Sequence, residues 1–371
     1  MRILWVTAKR IAIDLASTTQ LSISKELSDR GWEVTIVAPE GNDSEAAVIS
    51  EGHSFIGVKR SKITGLGWMT FGSSLKRIIP KLVKNNQFDV ALIEWQAVSG
   101  SISSLKKIGI PWLLVDRSPP VFRSIAGRLQ WFEYQRAWRL ARKSGGASGS
   151  VLKSQALIDW HREKENLVEP VILMEAGVDV GKYSVANFSG PCTIVHHGQL
   201  DEEREIERIV RIGEVLSARG FEFKMKIAGT GNRLTTLQKS ALLHDWLEVL
   251  GPLPSTEIPK FLADGHVALF PLPDGEIWRL ASPLKIREWA AAGLPMILSD
   301  ITPHRSVGDR KWIRLVAPES PLDKWADCIE DILKEDLAKL GKIARSDSES
   351  EFDWKFTTEE LHTKMLQLIG G

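Results

Sequence analysis

Cysteine is nearly absent: two among 371 residues, Cys192 and Cys328. They lie far apart and lack metal-ligand spacing, so they read as buried thiols of a reducing compartment. No apolar run approaches the ~20 residues needed to span a bilayer. MRILWVTA has the length of a strand, without the long apolar core or cleavage site of a secretory signal. A cytoplasmic chain is expected. No sign of charge is in surplus either. Lys plus Arg number 48 and Asp plus Glu 47, a net +1, so bulk charge implies no nucleic acid or other polyanion. Zinc, calcium and P-loop patterns are missing. His196 and His197 are consecutive in an apolar stretch, so in a strand they point to opposite faces and cannot share a metal.

What is present is a globular composition, 43% hydrophobic, with 14 tryptophans read mainly as core or interface residues. A single core rarely grows to this length, so two domains are expected. Strands are expected over 3–7, 33–38, 55–58, 89–95, 112–115 and 146–150, with amphipathic helices over 18–30, 73–84 and 130–143. The alternation restarts after 177–190, with strands over 193–197, 224–228, 247–250, 267–270 and 296–299. The fold class is α/β, with two doubly wound parallel sheets. Domains are expected over 1–178 and 179–353, with a helix over 354–369 returning to the first. Ligands of such sheets bind beyond the C-terminal strand ends, and two facing edges would form a central cleft.

The most informative stretch is VALFPLPDGEIWRLASPLKIREWAAAGLPMILSD, residues 267–300. A strand leads through a polar loop into a helix. Ser282 fits its N-cap and Pro283 its first position, and Gly293-Leu294-Pro295 stops it. Lys285 then falls in the first turn, where the helix dipole disfavours a cation by up to ~1 kcal/mol. That placement suggests an incoming anion, most often a phosphate. Lys285 and Glu288 share a helix face, a spacing that also suits a solvated ion pair.

Other positions carry two readings each. Gly229 and Gly231 follow the strand KMKIA and suit either a tight turn or close approach to a nucleotide. Arg204, with Arg208 one turn on, is either a surface charge among glutamates or a fixed cation on a diphosphate. Glu276 lies in the loop after VALF, an ordinary acid or a contact to sugar hydroxyls. Asp116 and Arg117 follow the strand WLLV, as a structural ion pair or as groups meeting the transferred sugar or acceptor. Glu94 ends a neighbouring strand. Lys9-Arg10 follows the first strand and suits an anionic acceptor or donor phosphate. Residues 117–143 hold seven basic residues and one acid, Glu133, interleaved with aromatics. Such a segment suits either a core-packed helix with a solvated basic face or peripheral contact with an anionic membrane.

Ser282, Pro283, Lys285, Glu288, Ala290, Gly293 and Pro295 resemble the pattern SPLK-x-x-E-(W/Y)-x-A-x-G-x-P of family 4 GT-B glycosyltransferases. IVHHGQLDEEREIERIV, IAGTGN and the tail FDWKFTTEELHTKML resemble further segments of that family. The resemblance implies two Rossmann-like domains and sugar transfer from a nucleotide sugar to an acceptor hydroxyl with retention. The acceptor would be a glycan, a lipid-linked sugar or a small molecule, and no metal or other cofactor is obligatory. It implies donor contacts at Arg204, Arg208, Gly229, Gly231, Ser282, Lys285 and Glu288. Asp116, Arg117 and Glu276 are the catalytic candidates. The sequence departs from the family at Gln199, where an Arg is usual, and at Leu280, where a first glutamate is usual. A family-type histidine after PWLLV is not evident. These departures keep open a catalytically degenerate nucleotide or glycan binder, and another GT-B enzyme such as a nucleotide-sugar epimerase.

Overall fold

The computed structural model describes residues 1–11, 17–61, 67–120 and 125–370. It divides into two units, Met1–Glu175 with Trp354–Gly371, and Ala176–Asp353.

The first unit carries seven strands: β1 (Arg2–Val6), β2 (Glu33–Pro39), β3 (Ser54–Val58), β4 (Val90–Glu94), β5 (Trp112–Asp116), β6 (Ser150–Leu152) and β7 (Val171–Leu173). Their order is β3-β2-β1-β4-β5-β6-β7 and every pairing is parallel. The second unit carries β8 (Thr193–Gln199), β9 (Lys224–Thr230), β10 (Leu247–Gly251), β11 (Val267–Phe270), β12 (Met296–Ser299) and β13 (Ile313–Val316). Here the order is β10-β9-β8-β11-β12-β13, again all parallel. Both are Rossmann-like sheets. Helices cover the sheets, so the central strands β4, β5, β11 and β12 are buried along their whole length. Continuous apolar runs, rather than alternation, are what such a buried parallel strand requires. Strand order reverses between β1 and β4 and between β8 and β11, and these switch points open a crevice at the C-terminal strand ends.

Several expectations are corrected. The strand expected over 146–150 is a helix stop. Gly145 takes φ 64°, and the amides of Gly146 and Ala147 bond the carbonyls of Lys143 and Ala141. The strand begins only at Ser150. The edge strands β7 and β13 were not anticipated, because three or four residues are too few to show a period. The helix after β8 starts at Glu207, because Glu205 takes φ 49°. The first unit ends at Glu175, three residues before the expected boundary. Val178 already belongs to the second unit, where its amide bonds the Phe352 carbonyl at 2.8 Å. Of the tryptophans, Trp5, Trp32, Trp112, Trp138, Trp289, Trp312 and Trp325 are fully buried.

The chain returns to the first unit through the helices Trp354–Thr357 and Glu359–Gly370. The Trp32 indole donates to His362 Nδ1 at 2.9 Å, Arg30 pairs with Glu359, and Leu361 and Met365 are fully buried. Among the described residues no helix is long and apolar enough to cross a membrane. Leu361→Ala should cost about 2–5 kcal/mol, the usual range for a buried leucine. Hydrogen exchange should show the loss in 1–175 and 354–370, with protection in 176–353 unchanged.

Candidate functional site

The site is built at the C-terminal ends of β8, β11 and β12. After β11 the chain makes a short helix, Glu276–Arg279, and then the helix Leu284–Ala291. Pro283 is the N-cap residue (φ −78°, ψ 111°), so this helix begins one residue later than expected. Ser282 does not cap it. Its hydroxyl instead accepts the Ala176 amide at 3.0 Å, which fixes the loop to the start of the second unit. Ile286, Trp289 and Ala290 are fully buried on the inner helix face. Gly293 (φ 67°) turns the chain so that the Leu294 amide bonds the Trp289 carbonyl, and β12 follows.

Lys285 lies in the first turn with its ammonium enclosed. Its stem passes against Gly198 at the end of β8, where a Cβ would come within 2.5 Å of Lys285 Cε. Gly198 also has φ 123°, a backbone conformation that favours glycine. Lys285 Nζ sits 4.1 Å from the Phe270 ring centroid, and it is buried without a hydrogen-bond partner. Burial, and then the nearby Arg204, push its ammonium well below the usual lysine range.

The surroundings are also short of partners. His196 Nδ1 donates to the Leu269 carbonyl at 2.9 Å, and its Nε2 is left unsatisfied. His304 Nδ1 donates to the Ser299 carbonyl at 2.7 Å, and its Nε2 is left in the same state. A carbonyl only accepts, so both rings carry their hydrogen on Nδ1. Burial holds His304 down at about 4, and burial together with Lys285 holds His196 well below its ordinary value. The Arg204 guanidinium lies 4.4 Å over the Trp278 ring with Nε unsatisfied, and Gln199 Oε1 is unsatisfied too. Buried polar groups are normally satisfied, so a cluster of exceptions at one sheet edge calls for a ligand.

Glu288, one turn on, is in the opposite condition. Its Oε1 accepts the Tyr183 hydroxyl at 3.1 Å and its Oε2 faces His197 Nε2 at 2.9 Å. The Trp289 indole donates to His197 Nδ1 at 3.0 Å. An indole N–H can only donate, so Nδ1 holds a lone pair and the hydrogen on Nε2 points at Glu288. Burial alone would raise the Glu288 carboxyl. The bonds from His197 and Tyr183 and the charge of Lys285 outweigh it, and the net shift is downward. The result is an ionised carboxylate in a fixed orientation with lone pairs to spare.

The remaining expected residues separate. Gly229 and Gly231 admit close backbone, since a Cβ on either would collide with the Gly198 or Leu200 carbonyl. Arg208 is engaged elsewhere, bonding the Ser320 carbonyl at 2.8 Å and lying over Trp325. Glu276 is exposed at the start of its short helix rather than in a loop, while Asp274 pairs with Arg279 at 2.7 Å. In the first unit Asp116 is fully buried. Its Oδ2 takes Tyr134 Oη at 2.5 Å, Trp138 Nε1 at 3.1 Å and His161 Nε2 at 3.1 Å. That carboxylate ties two helices to the sheet. Arg117 is half-buried beside Glu94, with Nη1 enclosed and unsatisfied. Among the described residues no group of three His, Cys, Asp or Glu could hold a metal ion. Sequence reasoning missed His197, Tyr183, His304 and Gly198. Only Gly198 left a local signal, a glycine closing an apolar strand.

Residues 191–335 match the sequence family described as glycosyl transferases group 1. The chain is 26% identical over 213 residues to the putative colanic acid biosynthesis glycosyltransferase WcaL of Escherichia coli K12, covering 54% of this chain and 52% of that protein. It is 28% identical over 138 residues to the Salmonella typhimurium protein of the same description, covering 35% and 34%. The chain thus spans about half, or less, of the curated relatives it matches. Among solved structures, sucrose-phosphate synthase of Thermosynechococcus elongatus superposes with a TM-score of 0.76 at 14% identity, covering 100% and 99%. Anabaena HepE in complex with UDP and glucose superposes at 0.75 and 12% identity, covering 99% and 100%. The fold is that of the GT-B glycosyltransferases.

Within this GT-B chain the matched stretch contains every residue of the second-unit cluster except Tyr183. Lys285 is the costly member, because an ammonium without a partner is expensive to bury. In the folded chain it binds its proton more weakly than in the unfolded chain, whose lysine is ordinary. The unfolded state therefore holds more protons between the two values, and the lysine's destabilising effect fades as pH rises through that window. Lys285→Met should raise the melting temperature at pH 7. Its advantage over wild type should shrink as pH climbs toward 10, and a melting series across pH reads both.

Proposed function

We propose that this chain is a glycosyltransferase that takes a nucleotide-sugar donor in its second unit and acts in glycan synthesis with retention of anomeric configuration. The observation that carries the reading is the enclosed, unpartnered Lys285 ammonium beside Arg204, next to a Glu288 carboxylate held by His197 and Tyr183. Lys285, Arg204 and the first turn of the Leu284–Ala291 helix would hold a diphosphate. Neutral His196 and His304 offer only acceptor nitrogens, so they would meet hydroxyl groups or protonated oxygens rather than bare phosphate. Glu288 has free lone pairs for both hydroxyls of a ribose cis-diol. Cationic side chains neutralise the leaving diphosphate in this reading, and no metal is required. Retention follows from the SPLK-x-x-E pattern, and a same-face displacement assisted by the donor phosphate is the accompanying mechanism. The HepE complexes with UDP make UDP-sugars the first donors to test.

Calorimetric titration of UDP, GDP and ADP sugars should find one donor that binds equally with and without EDTA. Glu288→Ala should weaken it at least tenfold and Lys285→Met more. A diphosphate raises the depressed proton affinity of Lys285, so binding should take up protons across the pH range between its free and bound values. The measured heat should then vary with the buffer's ionisation heat, and not in Lys285→Met. Slow hydrolysis to free sugar with the donor's anomeric configuration supports retention. Altered sugar released without an acceptor would mean an epimerase, and no nucleotide binding by the folded chain would end the donor-site reading.

A second proposal concerns location. The helix Ile125–Ala141 exposes Leu129 (48%) and Phe132 (59%) among exposed Arg128, Arg136 and Arg139, while its acid Glu133 is buried. Residues 121–124 of the basic segment lie outside the described residues. This face suits peripheral contact with an anionic membrane at its cytoplasmic side. Vesicles containing phosphatidylglycerol should sediment the chain, and neutral vesicles should not. L129S/F132S should abolish the effect with UDP binding unchanged.

A further inference from the structure

The first unit has its own cluster of charge at the C-terminal strand ends. Glu94 closes β4 and is almost fully buried. Thr7, just past β1, donates to its Oε2 at 2.9 Å, and Gln20 donates to its Oε1 at 2.7 Å. Thr7 Oγ1 also receives the Lys9 amide at 3.0 Å, which brings Lys9 over the same end of the sheet. On the other side of β4, Glu94 is in register with Val115 and Asp116 with Leu152. Arg117 and Lys153 each follow one residue later and emerge side by side. Three cations from three loops thus meet around the buried Glu94 and Asp116 carboxylates, next to the switch point between β1 and β4.

Among the described residues the charges are not balanced. Both Glu94 oxygens already hold neutral donors, and Asp116 spends its Oδ2 on Tyr134, Trp138 and His161 while its Oδ1 is enclosed without a partner. Arg117 Nη1 is enclosed with no partner, a state that costs free energy unless an acceptor arrives. Among the described residues two carboxylates face three basic side chains, leaving one positive charge when all are ionised. Surface lysines would disperse into solvent, but here a guanidinium is held at the sheet edge with an open bonding position.

We propose that Lys9, Arg117 and Lys153 form an anion-recognition site of the first unit, which selects acceptor sugars bearing a carboxylate or phosphate. The site rests on the glycosyltransferase reading only for the word acceptor; the anion preference stands on these residues. Arg117 supplies the directional hydrogen bonds to the anion, and the two lysines supply charge. Burial first, then Arg117 and Lys9, against the pull of Asp116, bring the Lys153 ammonium down to about 8. Among the described residues these are the charged groups that face it. An anion restores its proton, so the preference should fade as pH rises from 7 to 9, by up to about tenfold if the charged form alone binds.

The test uses the full chain saturated with UDP, with sugar binding followed by ligand-observed NMR. Methyl glucuronide and glucose 6-phosphate are compared with methyl glucoside. At least one anionic sugar should bind at pH 7 at least tenfold more tightly than the glucoside. Which one does identifies the carboxylate or the phosphate as the natural group. Arg117→Gln and Lys153→Met should each remove the preference with UDP affinity unchanged. Equal binding of charged and neutral sugars, no binding of either anion, or a preference that survives Arg117→Gln in a folded protein overturns the proposal. Should Arg117→Gln fail to fold, Lys153→Met and the pH series decide. UDP affinity, read on the same sample, reports separately on the donor site.

Discussion

An ammonium group enclosed without a counter-charge is the constraint around which the second unit is organised. Lys285 could not be kept in place by its own interactions. Its stem is held by the bare backbone of Gly198, its head by the face of Phe270, and its helix by Gly293 and the buried Trp289. The close strand ends follow from this, because Gly229 and Gly231 let the neighbouring loop approach the same backbone. The histidines nearby are kept neutral, since their Nδ1 atoms are committed to carbonyls and burial opposes a second proton. The arrangement holds a charge in place at a cost in stability, the trade expected if the proposed donor site is right.

The two units solve the problem of buried charge differently. In the second, Lys285 lacks a partner while Glu288 has several. In the first, Asp116 is satisfied on one oxygen by three donors while Arg117 has an open position. Each sheet therefore presents beyond its strand ends a fixed carboxylate and a cation whose bonding is incomplete. Low local dielectric strengthens whatever anion completes it.

Much of the β11–β12 region was legible in the sequence because its signal is local. The apolar runs of β11 and β12, the stop at Gly293 and the Lys285–Glu288 face all lie within thirty-four residues. The cap was misread by one residue because a Ser-Pro pair suits an N-cap equally well. The hydroxyl was taken instead by Ala176, more than a hundred residues away. The groups that orient Glu288 were illegible for the same reason: Tyr183 and His197 reach it across about a hundred residues. Lys153 was hidden by a boundary error. With the strand placed over the glycine-rich helix stop, nothing marked the lysine as standing at a sheet edge. Asp116 shows the converse, where position at a strand end was read correctly but burial by Tyr134, Trp138 and His161 could not be.

The first unit is discontinuous, and this bears on how the chain comes to be folded. Its final pieces, the helices that cover Trp32, leave the ribosome only after the whole second unit. The second unit is a single uninterrupted segment and can complete its core while those helices are still being made. Of the two units, the one that begins first is thus completed second, and until then Trp32 and its apolar neighbours stand open to water. Any need for a chaperone belongs to that interval rather than to the folding of the second unit.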